Sequence, residues 1–163
     1  MSTQAIVTLP APRLAHVCDI SVNISPPVEA GNVQGVNSRG KRRIIPITGG
    51  TIRGRINGEI LNAGADFQIV VSPTTADLDA RYIVRLDDGS HVYIQNSAIR
   101  RGSAEDVAAL VRGENVPPER IYFRCVPRFE VENPEHIWMT QSVFLGTGAR
   151  YPEGVQISIY EVL

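Results

Sequence analysis

Asp66, Tyr82 and Arg124 are the residues whose types and placement best suit acid–base chemistry. Asp66 lies in a run that alternates like a β-strand, two residues before Gln68, so the two side chains share one face. If that face lines an apolar cavity, burial raises the pKa of the Asp66 carboxyl group toward the range useful for proton transfer. Tyr82 could donate a proton or orient a carbonyl group, and Arg124 could bind a carboxylate or stabilise an enolate. These three are the candidate catalytic residues.

The same side chains also have structural interpretations, which the sequence leaves open. Asp66 could hold a turn or pair with Arg81 or Arg124, and Tyr82 could be a packing residue of a strand. Trp138 is the only tryptophan and could pack in the core or form a wall of a pocket. The residues expected to contact a ligand without moving a proton are Gln68, Arg81 and Trp138.

Composition argues against several classes of function. The net charge is −1, so no strong field directs the protein toward nucleic acid or an anionic membrane. The three histidines (His16, His91, His136) and the two cysteines (Cys18, Cys125) lie outside metal-ligand spacings. We therefore expect no metal, no cofactor and two reduced, buried thiols. We also expect a cytoplasmic protein, because the sequence shows neither a secretory signal nor an apolar run of roughly 20 residues.

Alternation and turn signals predict about eight or nine strands and one short helix in a single domain over residues 1–163. The clearest hairpin joins residues 81–86 to residues 91–96 through an Asp-Gly turn. Such a pattern is typical of an all-β protein, either a sandwich or an antiparallel closed barrel.

Residues typical of helix ends and turns predict the remaining elements. The helix is predicted at residues 103–112, where Ser103 can act as N-cap and Asp106 as its reciprocal partner. A strand is predicted at residues 135–146 and a turn at the Gly146-Thr147-Gly148 cluster. A flexible N-terminus is predicted at residues 1–12, a long loop at 28–43 and a polar connection at 73–80.

Each predicted strand has one face of mixed polarity and one plainer, apolar face. A barrel that binds a ligand turns the mixed face inward, whereas a barrel that is simply packed turns the apolar face inward. The mixed faces contain Asp66, Gln68 and Val70; Tyr82, Val84 and Leu86; Tyr122, Arg124 and Val126; Trp138, Thr140, Ser142 and Phe144; and Gln156, Ser158 and Tyr160.

An ordered set of motifs gives a family resemblance over most of the chain. The motifs are RIIPITGG at 43–50, GADFQ at 64–68, ARY at 80–82, YFR at 122–124, PRFE at 127–130, IW at 137–138 and YEV at 160–162. In this order they resemble the domain of unknown function 3237 family, also called UPF0311. The family often has a Gly-Gly pair where this chain has Ala63-Gly64, and a tryptophan where it has Phe67.

The resemblance implies a closed barrel similar to the lipocalin-like and allene oxide cyclase-like barrels. It also favours a ligand-facing lumen, because Asp66, Tyr82, Arg124 and Trp138 all fall within the matching motifs and on the mixed faces. Barrels of this shape either hold a small apolar ligand or catalyse cofactor-free isomerisations and ring closures. That step is an analogy of fold.

Three hypotheses follow for the function. In the first, the protein is a cofactor-independent isomerase, cyclase or lyase acting on a small carbonyl or phenolic metabolite. In the second, it is a carrier or sensor that binds a small ligand without chemistry. In the third, the barrel is filled and acts through self-association or protein partners. A homo-oligomer is compatible with all three.

Overall fold

Residues 6–163 are described by the structure, a computed structural model. Within this part of the chain, residues 6–13 form neither helix nor strand, and the first five residues of the predicted flexible N-terminus lie outside it. The strands are β1 (Leu14–Ile24), β2 (Val28–Gln34), β3 (Arg39–Gly54), β4 (Gly58–Ile60), β5 (Gly64–Ser72), β6 (Thr75–Leu86), β7 (His91–Arg101), β8 (Tyr122–Val131), β9 (Phe144–Tyr151) and β10 (Gly154–Val162). One α-helix, α1 (Ala104–Val111), and two 3-10 helices (Pro118–Arg120 and Pro134–Thr140) complete the described elements.

The strands form a closed antiparallel barrel with eight strand positions around its circumference. Strand β1 pairs with β10 on one edge and with β3 on the other, which closes the sheet. At two of these positions, two strands follow one another along the same line. Strands β5 and β4 both lie between β3 and β6, and β2 continues the line of β1 along β3. The prediction of an all-β antiparallel barrel is confirmed.

The predicted long loop at 28–43 is wrong, because most of this segment is a hairpin of β2 with the start of β3. Strand β2 pairs with β3 alone and has no buried residue, so the alternation of apolar residues that signals a strand is absent. Glu29 lies opposite Arg43 and forms ion pairs with both Arg43 and Lys41. Charge pairing across the two strands therefore replaces apolar burial here.

Three other predicted boundaries also differ from the structure. Strand β6 begins at Thr75, inside the predicted polar connection at 73–80. The predicted strand at 135–146 is mainly the 3-10 helix Pro134–Thr140, which Asn133 caps by accepting a hydrogen bond from the Glu135 amide. The glycines of the predicted turn at 146–148 lie within β9.

The predicted helix and hairpin are confirmed. Ser103 is the N-cap of α1, and its hydroxyl oxygen accepts a hydrogen bond from the Asp106 amide. Asp106 in turn forms an ion pair with Arg120, which ties α1 to the chain that enters β8. Strands β6 and β7 pair from Arg85 opposite His91, and Gly89 takes a positive φ of 85° in the turn.

One end of the barrel is filled by apolar side chains and the Pro134–Thr140 helix; we call it the filled end. Val84, Ile94 and Ile159 are fully buried near the middle of the barrel. Met139, on the 3-10 helix, is buried with Phe144, and the Trp138 ring packs 6.1 Å from the Phe144 ring. None of the described helices is long and apolar enough to cross a membrane.

Candidate functional site

A small chamber lies inside the barrel at the opposite end, where the β5–β6 turn and the β2–β3 hairpin lie; we call it the arginine end. Its volume is about 40 Å³, which is room for roughly three water molecules. Its walls are apolar over most of their area, with contributions from Val22, Ile45, Phe123 and Ile157. Six polar side chains also line it: Asp66, Gln68, Tyr82, Asn96, Arg100 and Arg150.

Asp66 lies on the inner face of β5 and its carboxylate accepts two hydrogen bonds. Gln68 Nε2 donates to one oxygen at 2.6 Å, and the Asp79 amide donates to the other at 3.1 Å. Burial is the largest influence on this carboxyl group and raises its pKa, whereas the Gln68 hydrogen bond and the charge of Arg100 oppose the rise. The result is a positioned carboxyl group that holds its proton more readily than an exposed aspartate.

Three buried polar atoms in the chamber have no hydrogen-bond partner among residues 6–163. They are the Tyr82 hydroxyl, Gln68 Oε1 and Asn96 Oδ1. Tyr82 is only 1% exposed, and burial raises the pKa of its phenol well above the ordinary value. It is therefore a neutral hydrogen-bond donor at physiological pH. Because unpaired buried polar atoms are unfavourable, these three atoms are suited to bind a polar ligand or water.

Arg43, Arg100 and Arg150 concentrate positive charge at this end of the chamber. Arg43 and Arg100 are 7% and 6% exposed, and Arg150 is half-buried. Burial and the charge of Arg150 lower the pKa of Arg100 to about 10. Burial and the charge of Arg43 also lower the pKa of Arg150. The arginines thus lie close enough to repel one another, and Asp66 is the acid whose charge acts on both Arg100 and Arg150.

Two glycines of β9 shape the wall opposite Asp66. The inner face of β9 runs through Phe144, Gly146, Gly148 and Arg150. A Cβ atom at Gly148 would lie 2.8 Å from the Phe123 ring, and one at Gly146 would lie 2.5 Å from Cys125 Sγ. The absence of side chains at these two positions lets β8 side chains pack against β9, so Arg150 is the β9 side chain that reaches the chamber.

The architecture and this interior can be compared with known proteins. The family model described as "Protein of unknown function (DUF3237)" matches residues 12–162. The chain belongs to the DUF3237 family. A UPF0311 protein of Rhodopseudomonas palustris is 41% identical over 155 residues, which cover 94% of this chain and 99% of that protein. A UPF0311 protein of Clostridium acetobutylicum is 37% identical over 148 residues, covering 90% of this chain and 92% of that protein.

Solved structures agree with the barrel. A crystal structure from R. palustris, described as a conserved protein of unknown function, has a TM-score of 0.88 at 40% identity, and the match covers 96% of this chain and 100% of that chain. A "beta-barrel like protein" of Acinetobacter baumannii has a TM-score of 0.81 at 39% identity and covers 96% and 99% of the two chains. An enzyme from Penicillium herquei has a TM-score of 0.68 at 13% identity and covers 98% and 100%. This last likeness shows a shared fold alone.

Three of the residues chosen from the sequence come together in this DUF3237 barrel. Asp66, Gln68 and Tyr82 all line the chamber, since β5 and β6 turn their mixed faces inward as expected. The sequence predicts correctly which side chains share a face within β5 and within β6, because each of these strands is uninterrupted.

The expected inward orientation of Arg124 is wrong. It lies on the outer face of β8, where its guanidinium donates to the Phe123 carbonyl at 3.0 Å and lies 5.2 Å from the Tyr122 ring. The buried residues of β8 are Phe123, Cys125, Pro127 and Phe129, so this strand turns its apolar face inward. Strand β10 does the same with Ile157 and Ile159.

Arg81 and Trp138 also lie outside the chamber. Arg81 is on the outer face of β6 and pairs with Asp79 at 2.8 Å. Trp138 lies at the filled end, where the Arg55 guanidinium stacks 3.7 Å above its ring. Trp138 therefore packs, which was the alternative to ligand contact, whereas Arg81 pairs with Asp79 and not with Asp66.

Sequence reasoning missed Asn96, Arg43, Arg100 and Arg150. Arg100 and Asn96 share a face of β7 with the apolar Ile94 and Ala98, so an extension of the predicted hairpin strand would have placed both inside. Arg43 lies in the segment taken as a loop, and Arg150 follows the cluster taken as a turn. Because the predicted loop and turn were wrong, the alternation of the strands could not be used to place Arg43 and Arg150 inside the barrel.

The thiols and the metal-ligand types are separate from the polar chamber. Burial raises the pKa of the Cys18 thiol to about 12 and that of Cys125 to about 11, so both are neutral and unreactive. Both are free cysteines. Among residues 6–163, no three histidine, cysteine, aspartate or glutamate side chains are grouped so that they could hold a metal ion.

Proposed function

We propose that this protein is a cofactor-independent acid–base enzyme, an isomerase, cyclase or lyase, acting on a small carbonyl or phenolic metabolite in the chamber. The observation that carries the proposal is the enclosed Asp66 carboxyl group. It is held by two hydrogen bonds on a chamber wall that also presents a tyrosine hydroxyl and a guanidinium. A raised carboxyl pKa in such surroundings is typical of a group that transfers protons.

The proposed reaction needs only the residues of the chamber. Ionised Asp66 accepts a proton from a carbon next to a carbonyl group, or from a phenol. When the proton leaves carbon, the electron pair left behind moves to the carbonyl oxygen; when it leaves a phenol, the pair stays on the phenolate oxygen. In either case the neutral Tyr82 hydroxyl donates a hydrogen bond to that oxygen and Arg100 supplies positive charge. Protonated Asp66 then returns the proton to another atom of the same molecule. The steps consume no oxidant and balance as an isomerisation, or as a ring closure or elimination within one substrate.

The chamber volume limits the substrate or requires side-chain movement. About 40 Å³ is well below the roughly 300 Å³ or more of most small-molecule pockets. Arg150 is half-buried, and its side chain forms no hydrogen bond or ion pair with residues 6–163. Its displacement would break no such contact, so Arg150 is the side chain whose movement would most readily enlarge the chamber.

Hydrogen–deuterium exchange tests the proposal without knowledge of the natural substrate. Acetone, hydroxyacetone and cyclohexanone are incubated with the protein in D2O, and exchange next to the carbonyl is followed by proton NMR. We expect the wild type to accelerate exchange of at least one ketone, and Asp66→Asn to lower the rate by about 10²–10⁴-fold. Asp87→Asn, at an exposed position in the β6–β7 turn, is the matched control and should leave the rate unchanged.

Equal rates in the wild type and Asp66→Asn would exclude Asp66 as the base. A rate no higher than that of buffer for every ketone would exclude the enzyme hypothesis.

A carrier or sensor is the second candidate function, favoured by the unpaired polar atoms of Gln68, Tyr82 and Asn96. Such atoms can orient a bound ligand without chemistry. In that case Asp66→Asn would change affinity only, and the ligand would be recovered unchanged. Ligand extracted from the purified protein and identified by mass spectrometry distinguishes the two functions, since an enzyme yields a mixture of substrate and product on prolonged incubation.

A further inference from the structure

We propose that Arg100 and Arg150, with the positive charge of Arg43 nearby, form a recognition site for a carboxylate group, so that the ligand of the chamber is a small organic acid with an apolar body. The inference rests on the proposed function for the location of the substrate and adds its chemical class.

The first argument is the lack of partners for two cations, Arg100, which is buried, and Arg150, which is half-buried. Arg100 is 6% exposed, yet neither its guanidinium nor that of Arg150 forms a hydrogen bond or ion pair with residues 6–163. Buried charges in proteins are normally paired, because an isolated ion away from water is strongly unfavourable. Both guanidinium groups line the chamber, so an anion bound there would supply the missing partner.

The second argument is the balance of charge around the chamber. Arg100 and Arg150 are the cations that line the chamber, and Asp66 is the carboxylate that lines it, so the lining carries an excess of one positive charge even when Asp66 is ionised. The oxygens of Asp66 accept hydrogen bonds from Gln68 and the Asp79 amide, so this carboxylate acts on the arginines at a distance.

The third argument, from the shape and polarity of the chamber, selects a carboxylate. A planar carboxylate matches the fork of donors on a guanidinium, and it needs little space. The remaining wall near the arginines is apolar, with Ile24, Phe123 and Val155 among its residues. Hydrocarbon attached to the carboxylate can contact these side chains. A phosphate is bulkier, and its further oxygens would face this apolar wall.

The arrangement also places the acid near the proposed base. Along the inner face of β7, Arg100 lies four residues after Asn96, or about 13 Å further along the strand. Asn96 lies opposite Ala80, which in turn lies opposite Asp66. A ligand of a few carbons whose carboxylate binds Arg100 would therefore extend toward Asp66 and Tyr82.

Binding measured without turnover tests the inference. Acetate, propionate and butyrate are titrated into the protein at pH 7 and constant ionic strength, in parallel with the neutral amides acetamide, propionamide and butyramide, and with inorganic phosphate. The Nε–Hε resonances of the arginine side chains report binding by NMR. We expect the carboxylates to bind at least 10-fold more tightly than the matched amides, with affinity rising as the chain lengthens.

Variants identify the site. Arg100→Met and Arg150→Met should each weaken carboxylate binding at least 10-fold, and Arg124→Met on the outer face is the matched control with no expected effect. Arg100→Lys keeps the charge and should bind better than Arg100→Met. Asp66→Asn removes a negative charge from the chamber and should bind carboxylates as tightly as the wild type or more tightly.

The outcomes separate this inference from the proposed function. Carboxylate binding that depends on Arg100, together with no ketone exchange by the wild type, would uphold the acid site and exclude the enzyme. Ketone exchange that depends on Asp66, with carboxylates and amides binding equally, would overturn the acid site and uphold the enzyme. Phosphate binding tighter than every carboxylate, or carboxylate affinity unchanged in both arginine variants, would also overturn the inference.

Discussion

The side-chain amide of Gln68 donates a 2.6 Å hydrogen bond to Asp66, two residues earlier on the same inner face of β5. This bond favours the ionised carboxylate and so opposes the rise in pKa that burial causes. Gln68 is 2% exposed, and its other amide atom has no partner among residues 6–163. The hydrogen bond from Gln68 therefore lowers the pKa of Asp66, while the free side-chain oxygen of Gln68 can contact a ligand.

Replacing Gln68 with leucine should raise the pKa of Asp66 further, because the donor is lost and burial is kept. The pH at which Asp66 ionises, followed by carbon-13 NMR of its carboxyl group, should move upward. The onset of any Asp66-dependent exchange activity should move to higher pH with it. Gln156→Leu, on the exposed outer face of β10, is the control. An unchanged Asp66 titration in Gln68→Leu would contradict the assignment.

Asp66→Asn should stabilise the fold at neutral pH. The folded-state pKa of Asp66 is raised above its unfolded value, so the native state binds the proton more tightly and stability falls as pH rises through this interval. The asparagine variant lacks this dependence. The difference in free energy of unfolding between variant and wild type, from urea titrations, should be largest above the raised pKa and disappear below about pH 4. A difference in free energy of unfolding that grows toward low pH would contradict the predicted direction of this pH dependence.

Asp88 should show the opposite dependence. Its carboxylate accepts hydrogen bonds from the Ser90 amide and hydroxyl, and it pairs with His136 at 2.7 Å, which ties the β6–β7 turn to the Pro134–Thr140 helix. These contacts hold the pKa of Asp88 well below its ordinary value. The stability they provide is present above about pH 4 and is lost as pH falls further. Asp88→Ala should therefore be less stable than wild type at pH 7 and lose less stability on acidification, with Asp87→Ala as control.

Arg100→Met should make the protein more stable while it weakens binding of acids. Methionine removes a buried cation that repels Arg150 and Arg43 and keeps a similar volume. A gain of about 1 kcal/mol would raise the melting temperature by about 2–4 °C for a domain of this size. Arg124→Met, on the outer face of β8, should change it by less. A lower melting temperature for Arg100→Met would show that Arg100 has a stabilising partner within the protein.

The sequence supported the barrel and part of the chamber for reasons that particular residues make clear. Alternation within one strand fixes which side chains share a face, so Asp66 with Gln68, and Tyr82 with Val84, were correctly grouped. Alternation does not carry across a turn, because register depends on the turn geometry. Arg124 was therefore grouped with the interior although β8 turns Phe123 inward.

The arginines show a different limit of sequence reasoning. Arginine side chains are mostly exposed in proteins, so residue type alone favours solvent for Arg43, Arg100 and Arg150. Three strands that are distant in the chain bring them to one end of the barrel, and only their registers show that they are neighbours. Charged residues usually lie at the surface, so a cluster of buried charged residues is especially difficult to predict from the sequence pattern.

The closure of the barrel through β1 has a consequence for how the chain folds during synthesis. Leu14 pairs with Val162, so one edge of β1 can be covered only after β10 has left the ribosome. Contacts between such distant residues form slowly, and an uncovered strand edge can pair with a neighbouring nascent chain. We expect barrel closure to be the late, rate-limiting event, and chaperones that shield β1 to raise the yield of folded protein.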